Sequence, residues 1–255
     1  MKNFCATDFS ALLENNNLSC FDDLWQLELD VVDEPNRERG GWSSVCKLPL
    51  QNSNAQGFPF YLKRQSNHLS RSWQHPLGEP TFAREYRNIV AYAERNVAAL
   101  DAVYFSQKKV NGQQQAILIT RSLDEYQPLE NILQRWQELD ELDRGETLKA
   151  IGELVGRLHS ARFTHHCLYP KHIYLNLNLS PPARLIDLEK TRYQLLRKRE
   201  CVADLSALLR RCMVFSDSDR QVLLTHYLSF NSLDLEVEEF IELFYLRKND
   251  KDTRP

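Results

Sequence analysis

The stretch from Thr164 to Lys190, THHCLYPKHIYLNLNLSPPARLIDLEK, crowds three imidazoles, a thiol and a carboxylate into one segment. His165 and His166 titrate near neutrality, so either can orient or deprotonate a hydroxyl. Cys167 acts as base or nucleophile only as thiolate, a form that neighbouring His and Lys171 would favour. Asp187 ends the apolar run Arg184-Leu185-Ile186, a place where an Asp often only forms a turn. Earlier in the chain, Lys63 closes the run Phe58 to Leu62. A strand-end ammonium is either solvated or a compact point charge for phosphate oxygens. Glu85 either complements a helix dipole or orients that lysine. Gly40-Gly41, before Trp42-Ser43-Ser44, is either a hairpin turn or a loop whose N–H groups approach an anion.

The elements that must carry these groups follow from periodicity. A short helix is expected around Asp8 to Leu13. Leu24 to Val32 alternates and reads as a strand, followed by a second ending near Leu50 and a third over Phe58 to Leu62. Thr81 reads as the N-cap of a helix reaching about Arg95, with Phe82, Tyr86, Ile89, Val90 and Ala93 at helical spacing. Asn111-Gly112 between apolar runs predicts a hairpin, because both turn positions need positive φ. Beyond Asp124 the chain turns helical: Pro128 to Trp136, Asp143 to Phe163, then about Cys201–Val214, Asp217–Leu228 and Leu235–Arg247. Two short strands, Ile173 to Leu177 and the run before Asp187, interrupt it. The tail from Lys248 is charged and is expected to fray.

The bulk numbers bound the class. The 255 residues suffice for one large or two small domains. Thirty-two basic residues face 35 acidic ones, which does not point to nucleic acid. Six scattered Cys without a C-x-x-C pair argue against zinc and against a disulfide framework, and favour a reducing compartment. The N-terminus lacks the apolar core of a secretory signal, and no run approaches a membrane span. A cytoplasmic protein is therefore expected.

A β-rich first half with one helix, then a helical second half, is the protein-kinase architecture. The chain resembles the lipopolysaccharide kinases of the InaA and WaaP type over roughly Leu24 to Cys212. The carriers are Phe60-Tyr61-Leu62-Lys63, Gly78-Glu79-Pro80-Thr81-Phe82-Ala83-Arg84-Glu85, His165 to Leu175, and Leu185-Ile186-Asp187-Leu188-Glu189. The resemblance implies an α+β, protein-kinase-like fold. Its N-terminal lobe, residues 1–123, would be a five-stranded antiparallel sheet with one helix that binds nucleotide. Its mainly helical C-terminal lobe, residues 124–255, would carry catalysis and substrate.

The same resemblance implies ATP and Mg²⁺. Lys63 would pair with the nucleotide's phosphates and Glu85 would orient it. Gly40 and Gly41 would cover the phosphates, and both Lys63 and Asp187 would face one interlobe cleft. Asp187 would hold the metal. His172 stands where many kinases carry a second metal-binding Asn; a neutral imidazole is a poor ligand for a hard ion, so hydrogen bonding around the site is the alternative. Asp204 would brace the catalytic turn from the start of a helix. His165-His166-Cys167-Leu168 departs from His-x-Asp-Leu at the base itself, with Cys167 expected to point at the cleft beside His165 or His166. The acceptor implied is a sugar of the lipopolysaccharide inner core, phosphorylated at the cytoplasmic face of the inner membrane. Arg192, Arg197, Lys198 and Arg199 form either a solvated face or a surface for an anionic acceptor or for peripheral contact with that membrane. A pseudokinase-like binding or regulatory protein of the same fold is the alternative, because of Cys167. A small-molecule phosphotransferase of the aminoglycoside or choline kinase kind is a third reading.

Overall fold

The computed structural model describes residues 3–252, apart from residues 19, 33, 39, 52–56, 73, 74, 232 and 234. The chain divides into two compact units, Met1–Val90 with Leu100–Asp124, and Ala91–Ala99 with Glu125–Pro255.

In the first unit the described residues run β1 (Phe4–Cys5), α1 (Thr7–Asn15), α2 (Phe21–Gln26), β2 (Trp42–Gln51) and β3 (Gly57–Ser66). A short ribbon of β4 (Leu69–Ser70) and β5 (Glu79–Pro80) leads into α3 (Thr81–Ala93), then β6 (Ala102–Val110) and β7 (Gln113–Arg121). Five strands form one antiparallel sheet in the order β1-β6-β7-β3-β2. The β6–β7 hairpin turns on Asn111 (φ 48°) and Gly112 (φ 83°), with Val110 opposite Gln113. Alternation sends Leu48, Leu50, Phe60 and Leu62 to one face, where they bury against Phe9 and Leu13 of α1 and Leu24 of α2. The opposite face takes α3, whose Tyr86 stacks on Phe105 at 4.5 Å.

Two expectations fail in this unit. Leu24–Val32 is not a strand; Phe21, Leu24 and Trp25 recur at helical spacing and build α2. The Asp23 carboxylate accepts from the Cys20 N–H at the start of α2, and Arg64 Nη1 donates to the Trp25 and Leu27 carbonyls at its end, at 2.8 and 2.7 Å. The fifth strand is β1 at the sheet edge instead, and the unit holds α1 and α2 besides α3. Thr81 is also not an N-cap. It is the first helical residue, and its hydroxyl donates to Gln65 Oε1 at 2.8 Å. That same oxygen accepts from the Phe82 N–H at 2.7 Å, so β3 caps the helix.

The second unit continues with β8 (Gln127–Pro128), α4 (Leu129–Gln134), α5 (Glu141–Ser160), β9 (Phe163–Thr164), β10 (Ile173–Leu175), β11 (Ala183–Leu185) and β12 (Arg192–Tyr193). Three helices follow: α6 (Arg197–Leu209), α7 (Asp217–Phe230) and α8 (Val237–Asp252). The charged tail expected to fray is helical as far as Asp252. Helices α5 and α7 meet along Gly152 and Gly156, where a β-carbon would come within 2.6 Å of the Leu223 carbonyl oxygen and 2.7 Å of that of Tyr227. The β10–β11 hairpin pairs Ile173 with Leu185, and β8 flanks it. The β9–β12 ribbon sets Thr164 opposite Arg192. No helix among the described residues is long and apolar enough to cross a membrane.

Candidate functional site

The first unit presents one charged pair. Lys63 lies on β3 between β2 and β7, opposite Val45 and Leu118. Its ammonium stands 2.6 Å from Glu85 Oε1, with the two side chains 15% and 3% exposed. A nearly buried carboxylate demands a cation, and the strand supplies it at a fixed height. Gln65, two residues further along the same face of β3, locks the start of α3. It also donates from Nε2 to the His68 carbonyl at 2.6 Å. Glu79 and Arg87 add a bidentate bridge at 2.7 and 2.7 Å that ties the segment before α3 to the helix. The Lys63–Glu85 distance is thus set by three elements. Gly41 packs against the strand itself: a β-carbon there would meet the Ser66 carbonyl oxygen at 2.2 Å. Gly40 occupies an exposed turn with φ 76°.

The second unit holds the His-rich turn. It enters from β9 and is braced from α6, where the Asp204 carboxylate accepts from the N–H groups of His165 and His166 at 2.7 and 2.9 Å. Asp204 lies in the middle of that helix and not at its start. Burial pushes its carboxyl up, but the His159 imidazole pulls it below the usual carboxylate range. Burial likewise opposes charge on His159, yet its contacts with Asp204 and Cys201 raise it to about 9. An imidazolium there donates both protons, from Nε2 to Asp204 at 3.3 Å and from Nδ1 to the Tyr227 hydroxyl at 2.9 Å. Asn231 donates to that hydroxyl in turn at 2.7 Å.

His165 is fully buried and donates from Nε2 to the Ile186 carbonyl at 2.9 Å, tying the turn to the residue before Asp187. Burial holds its pKa below the ordinary value, so the neutral ring is the stable form. His166 is exposed, with a left-handed backbone at φ 62°. Cys167 is 5% exposed. Its side chain hydrogen-bonds Lys190, and it is the foremost of the groups that raise the Lys190 ammonium's pKa, with Glu189 and Asp187 adding to it. The thiol thus faces a cation three residues beyond Asp187.

His172 Nδ1 donates to the Cys167 carbonyl at 2.7 Å, which leaves Nε2 facing Asp187 Oδ2 at 3.3 Å. Asp187 itself has a left-handed backbone, φ 60° and ψ 58°, and a carboxylate 38% exposed. The rings of His165, His172 and Tyr169 form a stack with centroids 5.8 and 5.5 Å apart, and the Arg211 guanidinium covers Tyr169 at 3.8 Å. The sequence brings Cys167, His172 and Asp187 together as expected. Gln65, His159, Tyr227, Lys190 and Arg211 escape a reading by motif; only the shared strand face of Lys63 and Gln65 signals one of them.

Among the described residues no group of three or more His, Cys, Asp or Glu side chains could hold a metal by itself. Asp187 with His172 fits Mg²⁺ in a different sense, since that ion is held by one or two carboxylates, waters and substrate phosphates. The part-exposed carboxylate is the hard donor, and His172 orients it.

The sequence model of the lipopolysaccharide kinase (Kdo/WaaP) family matches residues 22–227. Protein InaA of Escherichia coli strain K12 is 30% identical over 181 residues, which is 70% of this chain and 82% of InaA. A solved structure of WaaP in complex with acyl carrier protein superposes with a TM-score of 0.70 at 20% identity, covering 100% of both chains. That likeness shows the kinase-like α+β fold. The family match spans most of the sequence, and the chain belongs to the lipopolysaccharide kinase (Kdo/WaaP) family.

Proposed function

We propose that the protein is an ATP-dependent phosphotransferase that phosphorylates a sugar of the lipopolysaccharide inner core at the cytoplasmic face of the inner membrane. The observation that carries this reading is the Lys63–Glu85 ion pair, 2.6 Å long and nearly buried, in a chain of this family. In the proposed division of labour residues 1–123 bind the nucleotide and residues 124–255 carry the acceptor and the chemistry. Lys63 receives the phosphate oxygens, Glu85 orients it, and Gly40 and Gly41 lie over the phosphates. Asp187 holds Mg²⁺, which when bound with ATP supplies charge neutralisation for the transferring phosphoryl group. The acceptor hydroxyl oxygen bonds to the γ-phosphorus as the bond to the β-phosphate oxygen breaks, and ADP leaves.

The hydroxyl proton leaves from a turn that has no carboxylate. His165, buried and neutral, positions that turn, while His166 is the exposed imidazole on it. Cys167 stands at the base position, against Lys190. A base contributes about 10²–10⁴-fold to such a step, so the wild-type enzyme is expected to be slow, working by position and charge. Peripheral membrane contact is assigned to Arg192 and Arg199 with the exposed Tyr193, Leu195 and Leu196. Lys198 is paired with Glu239, and Arg197 donates to Asn231.

The thiol at the base position also favours a second reading, a pseudokinase that binds nucleotide without turning it over. Purified full-length protein incubated with Mg-ATP and delipidated core oligosaccharide separates the two. Phosphate incorporated into the sugar above a no-enzyme control supports the kinase. Nucleotide binding without incorporation supports the pseudokinase.

A further inference from the structure

Beside the His-rich turn, the second unit opens a cavity of about 470 Å³, within the range of small-ligand pockets. Three segments line it. The turn contributes Tyr169 and Lys171, α4 contributes Glu130 and Leu133, and the chain after α6 contributes Arg211 and Val214. Its character is mixed: apolar walls, one carboxylate and two cations. Lys171 and Arg211 make no salt bridge among the described residues, although Glu130 lines the same cavity. Arg211 is held in place twice, by its guanidinium over Tyr169 at 3.8 Å and by Nη1 donating to the Ala207 carbonyl at 3.0 Å. Lys171 immediately precedes His172, whose Nε2 stands 3.3 Å from Asp187 Oδ2. The stack His165–His172–Tyr169 therefore runs from the turn to the wall of the cavity.

Two cations on one rim, fixed by packing and not neutralised, are the arrangement that receives an anion. The Glu130 carboxylate on the same wall accepts hydroxyl protons, and Leu133 and Val214 offer surface to a ring's C–H faces. We infer that this cavity is the acceptor subsite and that it selects a sugar bearing a carboxylate or phosphate group, with Lys171 and Arg211 binding the anion and Glu130 a hydroxyl. The inference rests on the phosphotransferase reading for the word acceptor, and names its substrate class as an anionic sugar. It places anion recognition at Lys171 and Arg211, outside the basic run Arg192–Arg199.

The test is equilibrium binding, which needs no turnover. Calorimetric titration of the full-length protein would use delipidated core oligosaccharide in four forms: native, dephosphorylated, carboxyl-reduced, and stripped of both charges. Native core is expected to bind, and the doubly neutralised form to bind at least about ten-fold more weakly. The two singly modified forms tell whether phosphate or carboxylate supplies the anion. Lys171→Ala and Arg211→Gln, checked for an unchanged thermal midpoint, are each expected to weaken native core binding about ten-fold and leave the doubly neutralised form unaffected. Arg211→Lys, which keeps charge but loses the planar fork, is expected to fall between. Equal binding of native and neutralised core, wild-type affinity in both charge-loss variants, or no core binding at all would overturn the inference. Binding that follows this pattern without phosphate transfer would sink the kinase reading and leave the subsite standing. Transfer that ignores Lys171 and Arg211 would do the reverse.

Discussion

At the scale of single residues, the two chemical halves of the protein make separate predictions. Lys63 is held against Glu85 whether or not nucleotide is present, so its ammonium is positioned in advance. A ligand stabilises only the state that binds it, by about 2.7 kcal/mol at a hundred-fold excess over Kd. Lys63→Ala is expected to lose most of the thermal shift produced by Mg-ATP; a shift equal to wild type would remove Lys63 from the phosphate role. Cys167 calls for a pair of variants. If transfer relies on position and charge, Cys167→Asp keeps or raises the rate of phosphate transfer, and Cys167→Ala changes it little. If the thiolate at Lys190 is the base, Cys167→Ala costs about 10²-fold or more. Neither variant turns over in a pseudokinase. Rates of phosphate incorporation for the three proteins decide among these outcomes.

At the scale of elements, what holds the turn is a buried relay from α7 and α5 to α6: Asn231, Tyr227, His159 and Asp204. Its pH dependence follows from two opposite shifts. His159 is raised to about 9, so its contribution is complete below the ordinary imidazole value near 6.5 and is lost as pH rises through about 9. Asp204 is lowered, so its contribution is complete above the ordinary value near 3.9 and is lost as pH falls through the lowered one. Removing one partner of a buried pair costs roughly 3–5 kcal/mol. His159→Gln is therefore expected to destabilise strongly at pH 7, with the deficit against wild type shrinking as pH rises past 9. Urea unfolding of both proteins from pH 6 to 10 measures it, and a deficit constant over that range would show that His159 is neutral in the fold. None of this relay is visible in the sequence as a motif. Its members are far apart in the chain and each alone reads as a helix residue, whereas Cys167, His172 and Asp187 were legible because short strands and one turn bring them together locally. The hairpin at Asn111-Gly112 was legible for the same reason: its cause is the backbone of two adjacent residues. Leu24–Val32 misled because its alternation competes with a second pattern, Phe21, Leu24 and Trp25. The deciding contacts, from Arg64 to the carbonyls of Trp25 and Leu27, come from a strand 37 or more residues away.

At the scale of the whole molecule, charge bears on how the protein would reach an anionic membrane. The formal net charge is -3, so the long-range field of the chain does not draw it to acidic lipid. Contact must be local, and one segment of the second unit has the composition for it. Tyr193, Leu195 and Leu196 are each more than half exposed, an arrangement a soluble monomer seldom maintains without use when apolar residues adjoin. Arg192 and Arg199 flank them at exposed positions, and each basic residue near an acidic surface contributes about 1 kcal/mol. Aliphatic insertion and headgroup attraction together would give weak, reversible binding. Sedimentation with vesicles is expected to retain the full-length protein when phosphatidylglycerol is present, less with phosphatidylcholine alone, and less again as salt is raised through the range where the Debye length falls from about 10 to 3 Å. Leu195→Ser with Leu196→Ser should lower the retained fraction on acidic vesicles without altering the thermal midpoint, because neither side chain is buried. Retention that is indifferent to lipid charge, or to both leucines, would assign this segment to solvent and leave access to the acceptor to some other surface.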